Sequence, residues 1–173
     1  MKNVKATARL AGFLYLLITV AAIAAHYYVP SQLIVPGDAV ATAGNIANSE
    51  GFFRVGAVGS EMIILLSEMV LSVLLYVLLK PVSKTLSLIA AVSRLTMTAI
   101  HGINLINYYF VILLVGGAGT LSGFDAAQLH SLVMLFLDAH SYGFTIGIAT
   151  MPMVMSRLSP TVKATLRPIP MMP

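Results

Sequence analysis

The sequence predicts an all-α membrane protein, a polytopic helical bundle with four transmembrane helices and both termini in the cytoplasm. The first indication is composition: the 173 residues are 58% apolar and only 9% charged, whereas a soluble domain carries about 25% charged residues. The second is the presence of four long apolar stretches. The third is the distribution of Lys and Arg, which cluster at one set of ends of those stretches.

The four apolar stretches cover roughly residues 9–28, 52–79, 86–115 and 128–154. Crossing a hydrocarbon core of about 30 Å takes about 20 helical residues, and each stretch reaches that length. The second and third exceed it, so these helices are expected to tilt or protrude. All four are continuously apolar, which favours helices over the alternating strands of an outer-membrane barrel.

The two ends of the chain differ in character. The N-terminus has a basic start and an apolar core but no convincing cleavage site, which indicates a retained signal anchor. Residues 1–155 are expected to form a single transmembrane domain. Residues 156–173 are expected to be an irregular, Pro-rich cytoplasmic tail.

The basic residues set the predicted orientation. If four helices span the membrane, eight of the ten Lys and Arg fall on one side: Lys2, Lys5, Arg9, Lys80, Lys84, Arg157, Lys163 and Arg167. The positive-inside rule then places that side in the cytoplasm and indicates a multi-pass protein of the inner (plasma) membrane. There is no basic face with interleaved aromatic residues, so nucleic-acid binding is not expected. The absence of cysteine excludes disulfides and thiolate sites.

The connections carry turn and cap signals. Pro36-Gly37-Asp38 is a turn followed by a good N-cap, and it predicts a short surface helix over residues 39–48. His26 and the two tyrosines that follow it are interpreted as anchors at the outer membrane interface. The Gly-rich loop 116–123 lacks the Lys-Ser/Thr ending of a phosphate-binding loop.

A ladder of ionisable residues lies inside the second and third apolar stretches. Glu61 and Glu68 share one helical face, and Arg94 and His101 repeat the same seven-residue spacing on the next helix. Counted from the turn at Pro81, Glu68 falls at the depth of Arg94, and Glu61 at the depth of His101. Such residues cost on the order of 2.5–3.5 kcal/mol at a helix centre and are usually paired and often functional.

The last apolar stretch adds two further polar residues. Asp138 is expected near the depth of Asn104, and His140 near the depth of His101. Positions two apart differ by about 200° around a helix, so Asp138 and His140 do not share a face. The candidate intramembrane polar site comprises Glu61, Glu68, Arg94, His101, Asn104, Asp138 and His140.

Two classes of function fit this site. In the first, the ladder fixes helix packing in a structural or accessory protein, which contacts membrane lipids and assembles as a homo-oligomer or with a partner membrane subunit. In the second, Glu61, Glu68, Arg94 and His101 form the proton or substrate site of a small transporter or ligand-binding protein. No nucleophile–base arrangement is present, so neither a catalytic residue nor an enzyme is predicted.

No metal or cofactor is assigned from the sequence, although three sharper alternatives remain open. His101 and His140 have the residue type to ligate a haem. Glu61, His101, Asp138 and His140 have ligand types that suit a divalent metal, without a recognised spacing. Glu61, Glu68 and Asp138 suit a proton or substrate path, although broken helices and inverted repeats are not evident.

Several segments together resemble the bacterial membrane family called domain of unknown function 4386. They are ARLAGFLY (8–15), LIVPGDA (33–39), LKPV (79–82), Asn104 and LFLDAHSYGF (135–144). The resemblance covers about the first 148 residues and implies an all-helical membrane bundle of unknown activity. It also implies further apolar helices beyond that point, whereas this chain continues into a basic, Pro-rich end. A truncated or frame-shifted C-terminus would look like this, and it would favour oligomerisation or a partner subunit.

Overall fold

The computed structural model describes residues 2–117 and 123–156, with side chains over 4–117 and 123–149. The part of the chain that it describes is helical and contains no strand. Four helical spans are long and apolar enough to cross a membrane. The predicted class, an all-α membrane bundle with four spans, is confirmed, while the expected tail lies outside the described residues.

The first two spans each contain several contiguous helical elements, and the last two are single helices. The first contains α1 (Lys2–Ile23), a π-helical segment (Ala24–Tyr28) and α2 (Val29–Leu33). The surface helix α3 (Ala39–Asn48) follows. The second span contains α4 (Glu50–Phe53), another π-helical segment (Arg54–Gly59) and α5 (Ser60–Leu79). The third is α6 (Lys84–Val115) and the fourth is α7 (Ala126–Ser156).

Side-chain caps fix where several helices begin. The Asp38 carboxylate accepts a hydrogen bond from the Ala41 amide at 2.8 Å, which starts the short helix α3 over the predicted residues 39–48. At the start of α7, Asp125 accepts from the Gln128 amide at 2.8 Å while the Gln128 side chain accepts from the Asp125 amide at 3.0 Å. This reciprocal pair is a capping box.

The long helices pack in a row. α1 lies against α5, α5 against α6 and α6 against α7, and α3 packs across the C-terminal end of α6 and the N-terminal end of α7. α1 and α7 have no comparable contact with each other, so the row leaves an opening between its two outermost members. Beneath α3 lies the main apolar core, which includes Ile46, Phe53, Val111 and Val133.

The two π-helical segments contact each other near the outer end of the bundle. Gly56 in the second segment lies so close to Val29 that a Cβ there would come within 2.6 Å of the valine Cγ2. A small residue at this position therefore permits the close approach of the first two spans. Since a π-turn has one more residue than an α-turn, each segment also changes which face the neighbouring side chains present.

Candidate functional site

Three side chains from three different spans converge at the first π-helical segment. Glu61 Oε1 lies 2.9 Å from His26 Nε2 and 3.4 Å from His140 Nε2. The three atoms all fall within 4.8 Å of one another. Glu61 and His140 are almost completely buried, and His26 is 18% exposed. We call these three residues the outer cluster.

None of the three converging atoms has a hydrogen-bond partner among the described residues. The short separations in the outer cluster are therefore not accompanied by hydrogen-bond geometry. Buried polar atoms are normally hydrogen-bonded, and each exception calls for an explanation. In the outer cluster these three atoms lie within 4.8 Å of one another, close enough to share one bound ion.

A second layer of polar and aromatic groups holds His140 in place. Its Nδ1 lies 3.3 Å from the backbone oxygen of Asn104, and the Asn104 side-chain amide donates to the backbone oxygen of His140 at 2.8 Å. Asn107 in turn donates to the Asn104 side-chain oxygen at 3.0 Å. The ring of Tyr108 stacks on His140 with centroids 3.6 Å apart, and Phe144 stacks on His26 at the same distance.

A second group, which we call the inner cluster, lies two turns further along α5. Glu68 Oε1 is 3.9 Å from a terminal nitrogen of Arg94, and Glu68 Oε2 is 3.4 Å from His101 Nδ1. All three side chains are buried. The guanidinium of Arg94 also lies over the ring of Tyr15, 5.1 Å from its centroid, which adds a cation–π contact.

The inner cluster contains an ion pair between Glu68 and Arg94, and several of its polar atoms make no hydrogen bond. Glu68 Oε2, Arg94 Nε and both ring nitrogens of His101 have no hydrogen-bond partner among the described residues. The neighbouring hydroxyls do not supply one, because Ser72 and Thr98 each donate to a backbone oxygen of their own helix. The inner cluster therefore retains unsatisfied donors and acceptors inside the bundle.

The inner cluster forms the floor of a crevice of about 460 Å³. Its walls come from α1 and the adjoining π-helical segment on one side and from α7 on the other, where α1 and α7 leave their opening. Apart from the cluster, most of the lining is apolar or aromatic: Tyr15, Ile18, Ala22, Ile23, Tyr27, Ile64, Met97, Phe144 and Ile148, together with Thr19 and His26. Its volume falls within the range of small-molecule sites.

A smaller cavity of about 230 Å³ adjoins the outer cluster. His26, His140 and Tyr108 line one part of it, and Asp138 lines another. Asp138 itself is exposed, whereas His140 is 2% exposed. The two residues thus face different directions, as their spacing predicts. Asp138 is not part of the outer cluster, although the metal set considered from the sequence combined it with Glu61 and His140.

The predicted hairpin register accounts for one pair and fails for another. Arg94 and Glu68 approach each other as predicted. His101, however, contacts Glu68 rather than Glu61, and Glu61 contacts His26 and His140. The reason is that the predicted ladder considered only the hairpin of the second and third spans. The first span packs on α5 and supplies His26, and α7 packs on α6 and supplies His140.

Two other site expectations change in detail. His140 meets Asn104 instead of lying level with His101, a shift of a few residues that reflects the uncertainty in helix ends when depth is counted across a loop. The grouping of metal-ligand types also differs. Among the described residues, the cluster with metal-binding spacing contains His26, whereas the metal alternative left open by the sequence contained His101 and Asp138.

His26 is the site residue that sequence reasoning missed. Its neighbours Tyr27 and Tyr28 are exposed and resemble an interfacial anchor, and His26 was interpreted in the same way. Instead, its ring turns inward to Glu61. The available signal was a histidine among apolar residues at the end of the first span, but regular helical spacing does not reveal the π-helical segment that contains it.

The sequence model of a family described as Domain of unknown function (DUF4386) matches residues 10–159. The chain therefore belongs to this family, as the sequence resemblance implied, and the match runs past residue 148. No curated protein and no solved structure is significantly similar to the chain. The fold thus defines a helical membrane protein, and the matched family is one of unknown function.

Proposed function

We propose that this protein binds a lipophilic small molecule within the membrane, in the crevice above the inner cluster. The observation that carries this proposal is the combination of apolar walls with unpaired polar atoms of Glu68, Arg94 and His101 at the floor. A mostly apolar pocket with a few convergent polar groups is the usual form of a small-molecule site.

The position of the crevice indicates how a ligand reaches it. The opening lies between α1 and α7, on the side of the bundle where those helices do not pack together. Residues on this rim such as Ile23, Tyr27 and Ile148 are exposed and apolar or aromatic. A molecule dissolved in the bilayer therefore has a direct path from the lipid, without crossing a polar surface.

The charges on the floor select the head of the ligand. Glu68 and Arg94 already offset each other, so a head with a net charge would leave a charge unmatched in a low-dielectric site. Arg94 Nε is a donor without an acceptor, and His101 carries a ring N–H that lacks one. A neutral head bearing carbonyl oxygens meets these donors. The proposed ligand class is a carbonyl-bearing lipophile of the quinone type.

This proposal is one of binding or transport of a ligand rather than of catalysis, since the site offers no nucleophile with an adjacent base. A purely structural role is the second candidate, and one observation favours it. Glu68 of α5 contacts both Arg94 and His101 of α6. That arrangement would join the two helices in the membrane even with no ligand bound.

The test compares two threonines in similar surroundings, of which only one lines the crevice. Thr19 lines the crevice, whereas Thr96 lies outside it; both are exposed and both donate to the backbone four residues earlier. Thr19→Phe is expected to fill the crevice and abolish retention of a short-chain benzoquinone. Thr96→Phe is expected to bind like the parent protein. Retention is measured by native mass spectrometry from a mild detergent, with thermal shift as a second readout.

Two outcomes would overturn the proposal. One is equal retention of the quinone by the Thr19→Phe and Thr96→Phe proteins, which would place binding outside the crevice. The other is a parent protein that retains the quinone no better than a hydrocarbon of matched chain length, which would leave the ladder with a packing role. Preference for a fatty acid over the quinone would contradict the neutral head.

A further inference from the structure

We propose that the outer cluster is a divalent metal site of the zinc class, with His26 Nε2, Glu61 Oε1 and His140 Nε2 as its three protein ligands. This inference does not depend on the proposed ligand of the crevice, because a different acid and two different histidines form it. It replaces the metal set that the sequence left open, which contained His101 and Asp138.

The separations between the ligand atoms suit a tetrahedral ion. Zinc binds imidazole nitrogen and carboxylate oxygen at about 2.0–2.2 Å, which places neighbouring ligands about 3.4 Å apart. Glu61 Oε1 lies 3.4 Å from one histidine nitrogen and 2.9 Å from the other. The three atoms lie within 4.8 Å of one another, so small side-chain rotations bring all three to one ion.

The pairing of charges also favours a cation. Glu61 is buried and its contacts are two histidines, neither of which is a permanent cation. All three facing atoms lack a hydrogen bond among the described residues. The hydrocarbon of a bilayer supplies no hydrogen-bond partner for such groups. A divalent ion would use all three lone pairs and offset the carboxylate charge.

The surroundings prepare His140 to act as a ligand. Its Nδ1 lies 3.3 Å from the backbone oxygen of Asn104 and 3.2 Å from the Asn104 side-chain nitrogen. The tautomer that donates from Nδ1 to the backbone oxygen is the one that leaves the lone pair of Nε2 on the side of Glu61. Metal-bound histidines nearly always donate their other ring N–H in this way. Stacking by Tyr108 further fixes the plane of the ring.

The donor set indicates the class of metal. Two imidazoles and one carboxylate suit zinc and other first-row divalent ions, while magnesium and calcium favour oxygen ligands throughout. Three protein ligands leave a fourth position open. The cavity of about 230 Å³ that His26 and His140 border provides room there for a water or another small ligand.

The test begins with the detergent-solubilised full chain after treatment with a chelator. On addition of Zn²⁺ and removal of the excess, elemental mass spectrometry is expected to find about one ion per chain, the stoichiometry of a mononuclear site. His26→Ala and His140→Ala are expected to lose that ion. His130→Ala is the matched control, since His130 lies outside the outer cluster, against a cavity beneath α3, and it should retain the ion.

Two further measurements keep the test decisive if a cluster variant folds poorly. In the parent protein, Zn²⁺ is expected to raise the unfolding temperature and Mg²⁺ to leave it unchanged. Asn104→Ala removes the side-chain amide that donates to the His140 backbone oxygen and keeps the backbone oxygen that faces Nδ1. It is expected to weaken Zn²⁺ binding by about 10-fold, the low end for an outer-shell partner. No bound Zn²⁺ in the parent protein, or equal Zn²⁺ content in the His26→Ala and His130→Ala proteins, would overturn the proposal.

Discussion

The outer and inner clusters are built around two glutamates of the same helix, seven residues apart, and they differ in their bases. Glu61 faces two histidines, while Glu68 faces an arginine and a histidine. An arginine remains protonated in a protein, so Glu68 always has a compensating charge. A histidine does not guarantee one, so Glu61 has no permanent partner. The identity of the bases thus determines whether a buried acid is already compensated or requires a cation.

The largest expected effect concerns the inner cluster. Arg94→Met leaves the Glu68 charge buried without its partner, which is expected to cost about 3–5 kcal/mol of unfolding free energy. Glu68→Gln is expected to destabilise in the same way by leaving the arginine unpaired. The double variant should recover much of the loss, because neither charge then remains. The unfolding free energies of the two single variants and the double variant are measured in detergent micelles.

That double variant also separates the packing role of the inner cluster from its proposed role in ligand binding. If it recovers stability and still retains the benzoquinone, then the inner cluster serves packing only and the proposed ligand head is wrong. If it recovers stability but no longer retains the quinone, the floor of the crevice contributes to binding. A double variant no more stable than either single one would contradict the pairing of Glu68 with Arg94.

A smaller effect is expected where α7 approaches the second layer of the outer cluster. A Cβ at Gly143 would overlap the side-chain oxygen of Asn104. Gly143→Ala is therefore expected to displace Asn104 from His140, at a cost of about 1–3 kcal/mol of unfolding free energy, and to weaken Zn²⁺ binding. Gly12→Ala is the control, because nothing lies within 4 Å of a Cβ there.

Gly12 lies in the middle of α1, where alanine is favoured over glycine by roughly 0.5–1 kcal/mol. Gly12→Ala is thus expected to be neutral or stabilising and to leave Zn²⁺ binding unchanged. Thermal unfolding and metal content of the two alanine variants make the comparison. Equal behaviour of the two would show that Asn104 does not depend on the space at Gly143.

The smallest effect is expected at Asp138. Its side chain is exposed and outside the outer cluster, and a surface substitution of this kind usually changes stability by less than about 0.5 kcal/mol. Asp138→Asn is expected to keep both the stability and the Zn²⁺ content of the parent protein. Loss of the ion in this variant would extend the metal site across the smaller cavity.

Sequence reasoning recovered the fold because membrane spans depend on length and hydropathy, which are local properties of the chain. It also placed Glu68 level with Arg94, since a short turn at Pro81 leaves little freedom in the register of that hairpin. The other contacts depend on how α1 and α7 pack against the hairpin. No local signal specifies that packing, so the true partners of Glu61 were not found.

His26 illustrates the limit most clearly. Within a regular helix, its neighbours place it with the interfacial tyrosines. In the structure it belongs to a π-helical segment, whose extra residue per turn changes the direction of the side chain. The one local mark is Pro30, which lies four residues after His26 in the same span. A proline inside a helix has no N–H to donate to the carbonyl four residues earlier, so it disturbs the regular hydrogen bonding there.

The π-helical segment at Ala24–Tyr28 has a consequence for chains of slightly different length. Such a segment is equivalent to a single residue inserted in an α-helix. A related protein one residue shorter at this point would still cross the membrane, but everything before the deletion would rotate by about 100° relative to the rest of the span. The direction of the His26 side chain therefore depends on the residue count of its turn. A one-residue gap at this point in a relative would remove the outer cluster, as a substitution of His26 would.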